Sequence, residues 1–244
     1  MDKVIIIADA HLESGEECHP SYKLAKKFIK NQKPNYLILL GDMLDFSYLS
    51  TYNEQKALFR ENKRLYKDYA LFNKELDFFQ KYCNKVIYLE GNHERRVEAT
   101  IEKYPQFQNS IEVPINLKLK QRGINWYSEK EQPIHLGDLC FLHGKYYTIF
   151  YTKKTLEEYG VNLIIAHCHR PQMFSKTFSG TGTELMCYGL PCLTDKRPDY
   201  LNGRSTDHQN GLGIAFVEKA GDFSFYAINI KNNHFIYNGK DWRE

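Results

Sequence analysis

The sequence predicts an α/β fold. Apolar runs of strand length recur through the first part of the 244-residue chain, amphipathic stretches separate them, and short β-like runs close it. The runs are 4–8, 36–40, 86–90, 139–142 and 162–166, rich in Val, Ile and Leu and ending in Gly, Asp, Asn or His. Unbroken apolar runs of this kind suit central strands buried on both faces of a sheet.

Between the first two runs lies a predicted helix at about 20–31. A longer one is predicted from about 54 to 82, where Leu58, Leu65, Tyr69, Phe72, Leu76 and Phe79 recur at steps of three, four or seven and form one apolar stripe opposite Lys, Arg and Glu. Residues 97–122 read as two shorter helices interrupted by Pro105 and Pro114, and 153–160 as a helix stopped by Gly160. From about 183 the texture becomes β-like, with runs at 212–218, 223–230 and 234–237 and turns at Ala220-Gly221-Asp222 and Lys231-Asn232-Asn233, which predicts a β-meander at the end. No repeat, low-complexity tract or linker breaks the chain, so residues 1–244 are expected to form a single domain, with 191–211 as its longest irregular piece.

Composition narrows the classes. A net charge of +3 from 33 basic and 30 acidic residues, without runs of like charge, does not predict nonspecific polyanion binding. The segment Met1-Asp2-Lys3-Val4-Ile5-Ile6-Ile7-Ala8 is too short and wrongly flanked for a secretory core and far short of a membrane span, so a cytoplasmic protein with no membrane partner is expected. Cys18, Cys83, Cys140, Cys168, Cys187 and Cys192 show neither disulfide-like nor zinc-ribbon spacing and read as mainly reduced thiols.

The chemistry sits where the runs end. Asp9-Ala10-His11 follows the first, Gly41-Asp42-Met43-Leu44-Asp45 the second, Gly91-Asn92-His93-Glu94 the third, His143-Gly144 the fourth and His167-Cys168-His169 the fifth. Open α/β sheets bind ligands at the carboxyl edge of their strands, and all five segments are expected to meet there. One histidine after a strand is an ordinary rim residue; five such segments in succession supply carboxylate, amide oxygen and imidazole together. That donor set suits Mn²⁺, Fe or Zn²⁺ better than Mg²⁺ or thiolate-bound structural zinc.

The segments resemble the calcineurin-like metallophosphoesterases, whose pattern D-x-H, G-D-x-x-D, G-N-H-[DE], a later His and G-H-x-H runs in order here from Asp9 to His169. The resemblance implies a four-layer αββα sandwich, two facing mixed sheets flanked by helices. It implies two divalent metal ions: Asp9, His11, Asp42 and His169 on one, and Asp42, Asn92, His143 and His167 on the other, with Asp42 bridging. Mn²⁺ is the expected metal, with Fe, Zn²⁺ and Ni²⁺ as alternatives. His93 matches the family's catalytic histidine, which is not a ligand, and Asp45 is expected to orient His93 or a ligand; Glu94 is given no catalytic role.

The implied activity is phosphodiester hydrolysis of a nucleotide or nucleic acid, by in-line attack of a metal-bridging hydroxide. Alternatives are a phosphomonoesterase acting on nucleotides or proteins, a DNA or RNA nuclease, and a non-catalytic metal-binding scaffold. Two departures from the pattern stand out: Ala166 replaces the usual Gly before the last histidine pair, with Cys168 expected to face away from the metals, and Phe46 is expected to narrow the cleft. Arg95, Arg96 and Arg170 are candidate substrate-binding residues, and Tyr146, Tyr147, Tyr151, Tyr48 and Tyr52 candidate base-stacking surfaces. The 191–211 loop, with Lys196, Arg197, Arg204, Asp207 and His208, is a candidate wall; Asp207-His208 is not counted as a ligand pair. The C-terminal stretch loosely resembles small bacterial and phage-encoded members.

Overall fold

A computed structural model describes residues 1–194 and 206–244; the candidate wall residues Lys196, Arg197 and Arg204 lie outside them. The chain opens with β1 (Asp2–Ile7) and α1 (Pro20–Gln32), whose start is capped by His19, with Nδ1 accepting the Ser21 N–H at 3.2 Å. After β2 (Tyr36–Leu39) the long predicted helix breaks up. Two 3-10 turns (Ser47–Leu49 and Thr51–Asn53) and a single helical turn, α2 (Ala57–Arg60), precede α3 (Leu65–Tyr82). Asn62 takes a left-handed φ of 65°, which no α-helix accommodates. Next to it, the Lys63 ammonium reaches Glu13 at 2.8 Å and Glu16 at 2.9 Å. Leu58 therefore falls off the stripe and is 87% exposed, while Tyr69, Phe72, Leu76 and Phe79 are buried.

The chain continues through β3 (Lys85–Leu89), α4 (Arg95–Lys103), a 3-10 turn (Pro105–Phe107), α5 (Val113–Asn116) and α6 (Leu119–Arg122). Pro105 and Pro114 each open a turn, where the missing N–H costs nothing, instead of interrupting one. Next come β4 (Asn125–Tyr127), β5 (Ile134–Leu136), β6 (Leu139–Leu142) and α7 (Tyr151–Tyr159), which ends on Gly160 at φ 63°. The remainder is β7 (Asn162–Ile165), β8 (Gln172–Phe178), β9 (Thr183–Gly189), β10 (Asn210–Val217), β11 (Phe223–Ile230), β12 (His234–Tyr237) and β13 (Lys240–Arg243).

The strands form a six-stranded sheet, β11-β10-β1-β2-β3-β4, and a five-stranded one, β5-β6-β7-β9-β8. Within them, β1 to β4 run parallel, as do β6, β7 and β9. Alternate residues along each strand build the layers. Val4, Ile6, Ile38 and Leu40 pack with Leu139, Phe141 and Ile164 between the sheets. Ile5, Ile7, Leu37 and Leu39 face α1 and α3. Cys140, Leu142, Leu163 and Ile165 face α7. The result is a four-layer αββα sandwich of two facing mixed sheets, as the resemblance implied.

The ending is not a continuous meander. β10 turns back against β1 and pairs with β11, but β12 and β13 form a separate two-stranded sheet. Phe235, Tyr237 and Trp242 from that hairpin meet the Phe28 ring of α1 edge-on, with centroids at 5.2, 5.2 and 4.9 Å. Burial of these rings against α1 draws the hairpin away from the main sheet.

Candidate metal centre

The parallel registers place Ile7 beside Leu39, Leu39 beside Tyr88, and Leu142 beside Ile165, so the loops that follow leave from one common edge. Pairing continues past the strands: Asp9 N–H donates to the Gly41 carbonyl at 3.1 Å and His11 N–H to the Asp42 carbonyl at 3.0 Å. The second sheet is tied to the first there, with His167 N–H on Asp9 Oδ2 at 3.2 Å and Leu193 N–H on the Asp9 carbonyl at 3.0 Å. Five of the seven ligand candidates have left-handed backbones: Asp9 (φ 50°), His11 (46°), Asp42 (50°), His167 (76°) and His169 (59°). Each such turn costs roughly 1–2 kcal/mol in a non-glycine residue, so the surrounding hydrogen bonds must hold it. Ala166 is not among the residues with positive φ, so its methyl group brings no strain.

Two glycines let the loops close. A Cβ on Gly41 would lie 2.4 Å from His143 Nδ1, and one on Gly91 would lie 2.2 Å from Asp42 Oδ1. Glu94, expected as a cap or supporting partner without a catalytic role, is the hub between these loops. It is fully buried, and its carboxylate accepts the N–H groups of Asp42, Met43, Leu44 and Gly91 at 2.9–3.1 Å and the Tyr88 hydroxyl at 2.8 Å. Burial and the nearby Asp42 carboxylate push its pKa up, while the Leu44 N–H and the Tyr88 hydroxyl, by donating to it, oppose the rise.

The edge brings together Asp9, His11 and His169 as one group of donor atoms within 4.8 Å of one another, and Asp42, His143 and His167 as another. Asp42 stands between them, its Oδ2 lying 3.4 Å from His143 Nε2 and 3.9 Å from His11 Nε2. Asn92 Oδ1 lies 3.3 Å from His143 Nε2. His143 Nδ1 donates to the Leu40 carbonyl at 2.7 Å, which leaves Nε2 as the nitrogen facing the cluster. His11 is held likewise, with Nδ1 3.4 Å from Asp45 and Nε2 toward the first group.

Burial opposes ionisation of Asp42, yet His93, His143 and His11 hold its carboxyl well below the usual range. Burial pulls His143 down, but Asp42 outweighs it and raises the imidazole to about 9. For His167, burial and the neighbouring His143 lower the pKa to about 4. In the metal-free protein, protons on some imidazoles thus balance the two aspartates. The donor set fits divalent cations: His167 Nε2 is buried without a hydrogen-bond partner, as is Asp9 Oδ1 at 3.4 Å from His169 Nε2. A cation satisfies such groups where a proton does so only in part.

His93 lies beside both groups. Its N–H donates to Asp42 Oδ1 at 2.8 Å, its Nδ1 is 2.7 Å from Asp45 Oδ1, and Nε2 is 3.0 Å from the Arg96 guanidinium. Asp45 and His93 also form a third possible donor group with His11. Arg96 donates further to the Asp45 carbonyl at 2.7 Å. Arg95 is ion-paired with Glu129 and lines a cavity of about 210 Å³ that also reaches Asn92 and His143. Arg170 is drawn outward to the Thr148 carbonyl at 2.7 Å and to Asp207 at 3.6 Å.

Several expectations about the rim are corrected. Phe46 is fully buried against Tyr69 in the helix-side core and does not narrow the cleft, because its left-handed φ of 46° turns the side chain inward. Tyr151 is buried with its hydroxyl on the Arg170 carbonyl, Tyr48 is buried on Asp68, and Tyr146 hydrogen-bonds Glu158. Only Tyr147 adjoins the ligand candidates, its ring 4.0 Å from that of His167. The Cys168 thiol turns away and donates to the Tyr146 carbonyl at 2.8 Å. His208 comes within 4.6 Å of the His169 ring, a proximity with no sequence signal because no apolar strand precedes it.

Facing sheets whose common edge carries two carboxylate–imidazole groups joined by one aspartate define an α/β sandwich protein with a candidate dinuclear metal centre. The chain belongs to the calcineurin-like phosphoesterase family, which matches residues 2–201. Vacuolar Protein Sorting 29 from Cryptosporidium parvum is similar in fold, with a TM-score of 0.52 and 12% identity over 98% of this chain and 94% of that one. A zinc complex of Vps29 from Entamoeba histolytica matches with a TM-score of 0.49 and 10% identity over 96% of each chain. A dimetal phosphatase from Danio rerio matches with a TM-score of 0.46 and 13% identity over 93% of this chain and 95% of that one. No curated protein sequence matches. Among the described residues, no helix is long and apolar enough to cross a membrane.

Proposed function

We propose that the protein is a dinuclear metal-dependent phosphodiesterase acting on a nucleotide or nucleic-acid phosphodiester. The observation that carries this reading is Asp42, whose single carboxylate oxygen faces one imidazole of each group, 3.4 Å from His143 and 3.9 Å from His11. Asp9, His11, Asp42 and His169 would hold one cation, and Asp42, Asn92, His143 and His167 the other. Mn²⁺ is the proposed occupant of both, since mixed carboxylate, amide and imidazole donors suit it. When bound, the pair lowers the pKa of a water and neutralises charge on the phosphate oxygens.

The remaining work falls to the chain's own groups. Asp45 accepts the His93 Nδ1 proton and so orients the ring; burial opposes a charge on His93, but Asp42 and Asp45 raise its pKa. In this geometry Nε2 accepts from the Arg96 guanidinium; once Arg96 leaves it for a phosphate oxygen, Nε2 can carry the proton given to the leaving alkoxide, which matters most for diesters with poor leaving groups. Arg96, 3.0 Å from that nitrogen, is placed to transfer its guanidinium to a phosphate oxygen as substrate enters. Arg95 and Arg170 lie further out and would meet the non-reacting part of the substrate. The whole chain is proposed to act as one domain, because β10, beyond the family match, completes the sheet through β1.

Turnover of bis-p-nitrophenyl phosphate and p-nitrophenyl phosphate with Mn²⁺ tests the reading. Faster hydrolysis of the diester is expected; a clear preference for the monoester overturns the diesterase assignment, and no turnover of either favours a non-catalytic scaffold.

A further inference from the structure

The loop after His143 carries three large exposed apolar side chains in four residues: Tyr147 (70% exposed), Ile149 (73%) and Phe150 (69%). Contiguous exposed apolar groups of this kind mark a contact surface. The loop is also built, since side chains of the 168–172 segment hold three of its carbonyls. Cys168 donates to Tyr146 O at 2.8 Å, Arg170 to Thr148 O at 2.7 Å and Gln172 to Ile149 O at 2.7 Å. Tyr146 is excluded from the surface by its bond to Glu158 at 2.6 Å and by Lys154, 3.9 Å above its ring. Tyr147 packs on His167 at 4.0 Å, one side chain from the proposed reacting centre.

We propose that the 144–150 loop is a base-stacking platform, with Tyr147 its principal contact, so that the site selects phosphodiesters bearing a nucleobase. The inference rests on the phosphodiesterase reading and adds which loop and which side chain hold the base and so set the selectivity. A flat ring next to the reacting phosphate, backed by an imidazole and flanked by apolar groups, meets the π-face that every base offers and reads no base edge. Two sources share that chemistry, a mononucleotide ester and a single-stranded nucleic acid.

The test uses thymidine 5′-(p-nitrophenyl) phosphate and methyl p-nitrophenyl phosphate, which share a leaving group and differ in the nucleoside. The ratio of their kcat/KM values should favour the thymidine ester in the native protein and fall roughly five- to hundredfold in Tyr147→Ala, the range expected for loss of one stacked base. The ratio should persist in Tyr147→Phe and in Tyr226→Ala, an exposed ring on β11 at the edge of the six-stranded sheet. Calorimetric binding of thymidine 5′-monophosphate against inorganic phosphate gives a readout independent of turnover. Tighter binding of the nucleotide that is lost in Tyr147→Ala upholds the platform even if neither ester is hydrolysed, an outcome that sinks only the activity. An unchanged ratio, equal losses for both esters, or no preference for the nucleotide over phosphate overturns it. Where the platform stands, oligothymidylate binding more weakened by Tyr147→Ala than mononucleotide binding assigns the base to a polymer, and the reverse assigns it to a nucleotide.

Discussion

Glu94 touches no ligand atom, yet it sets where Asp42 stands. Its two oxygens take up the peptide N–H groups of residues 42–44 and of Gly91, which fixes the Asp42 and Asn92 loops against one another. Glu94→Gln would turn one acceptor oxygen into a donor and face it toward N–H groups that have no alternative. We expect a loss of about 3 kcal/mol or more in urea unfolding of the metal-free protein, together with weaker metal binding; a change under about 1 kcal/mol would show that the hub does not hold the loops. The donor residues themselves were readable because each follows an apolar run directly. The part of Glu94 as a hub was not, since three of its five donors lie about fifty residues away and glutamate in a turn after a strand is usually a local cap or a supporting partner. His208 escaped for a related reason: only folding brings it to His169.

Among elements, the five ligand-bearing runs mark central strands and 223–230 marks the edge strand β11, whereas β4, β5, β8 and β13 have no run of their own and β9, between β7 and β8, has only the β-like texture from about 183. β4, β5 and β8 lie at the borders of their sheets, and β8 is largely exposed along its length, so no unbroken apolar run announced it. The long predicted helix failed at Asn62, whose preference for a left-handed turn was outvoted by an apolar periodicity continuing across it. The terminal hairpin shows the opposite case, in which tertiary packing overrides a local pattern. Trp242 is buried against Phe28 and stacks at 9° on Phe235, so its removal leaves a ring-sized gap between β12–β13 and α1. Trp242→Ala is expected to cost about 3–5 kcal/mol in chemical denaturation; a loss below about 1 kcal/mol would mean that the hairpin can leave α1 without consequence.

For the molecule as a whole, the division of labour between the sheets matters most. In each proposed set, carboxylate or amide donors come from loops of the six-stranded sheet, and histidines after β6 or β7 come from the five-stranded one. Binding should therefore stabilise the fold by mass action, so that chelation lowers Tm and Mn²⁺ restores it. The effect should also depend on pH. In the folded metal-free protein the His143 pKa is raised to about 9, with burial opposing and Asp42 favouring the charged form, so at neutral pH its proton must leave before a cation binds. The Tm difference between metal-loaded and chelated protein should widen from pH 6 toward pH 9. A difference that is constant or shrinking over that range would exclude His143 as a ligand.

The two sheets are thus joined like halves of a clasp, and the cations would be its rivets. Catalysis and architecture would then draw on the same seven side chains but part company at His93. Replacing that residue should abolish chemistry while leaving the rivets, and the heat resistance they confer, in place.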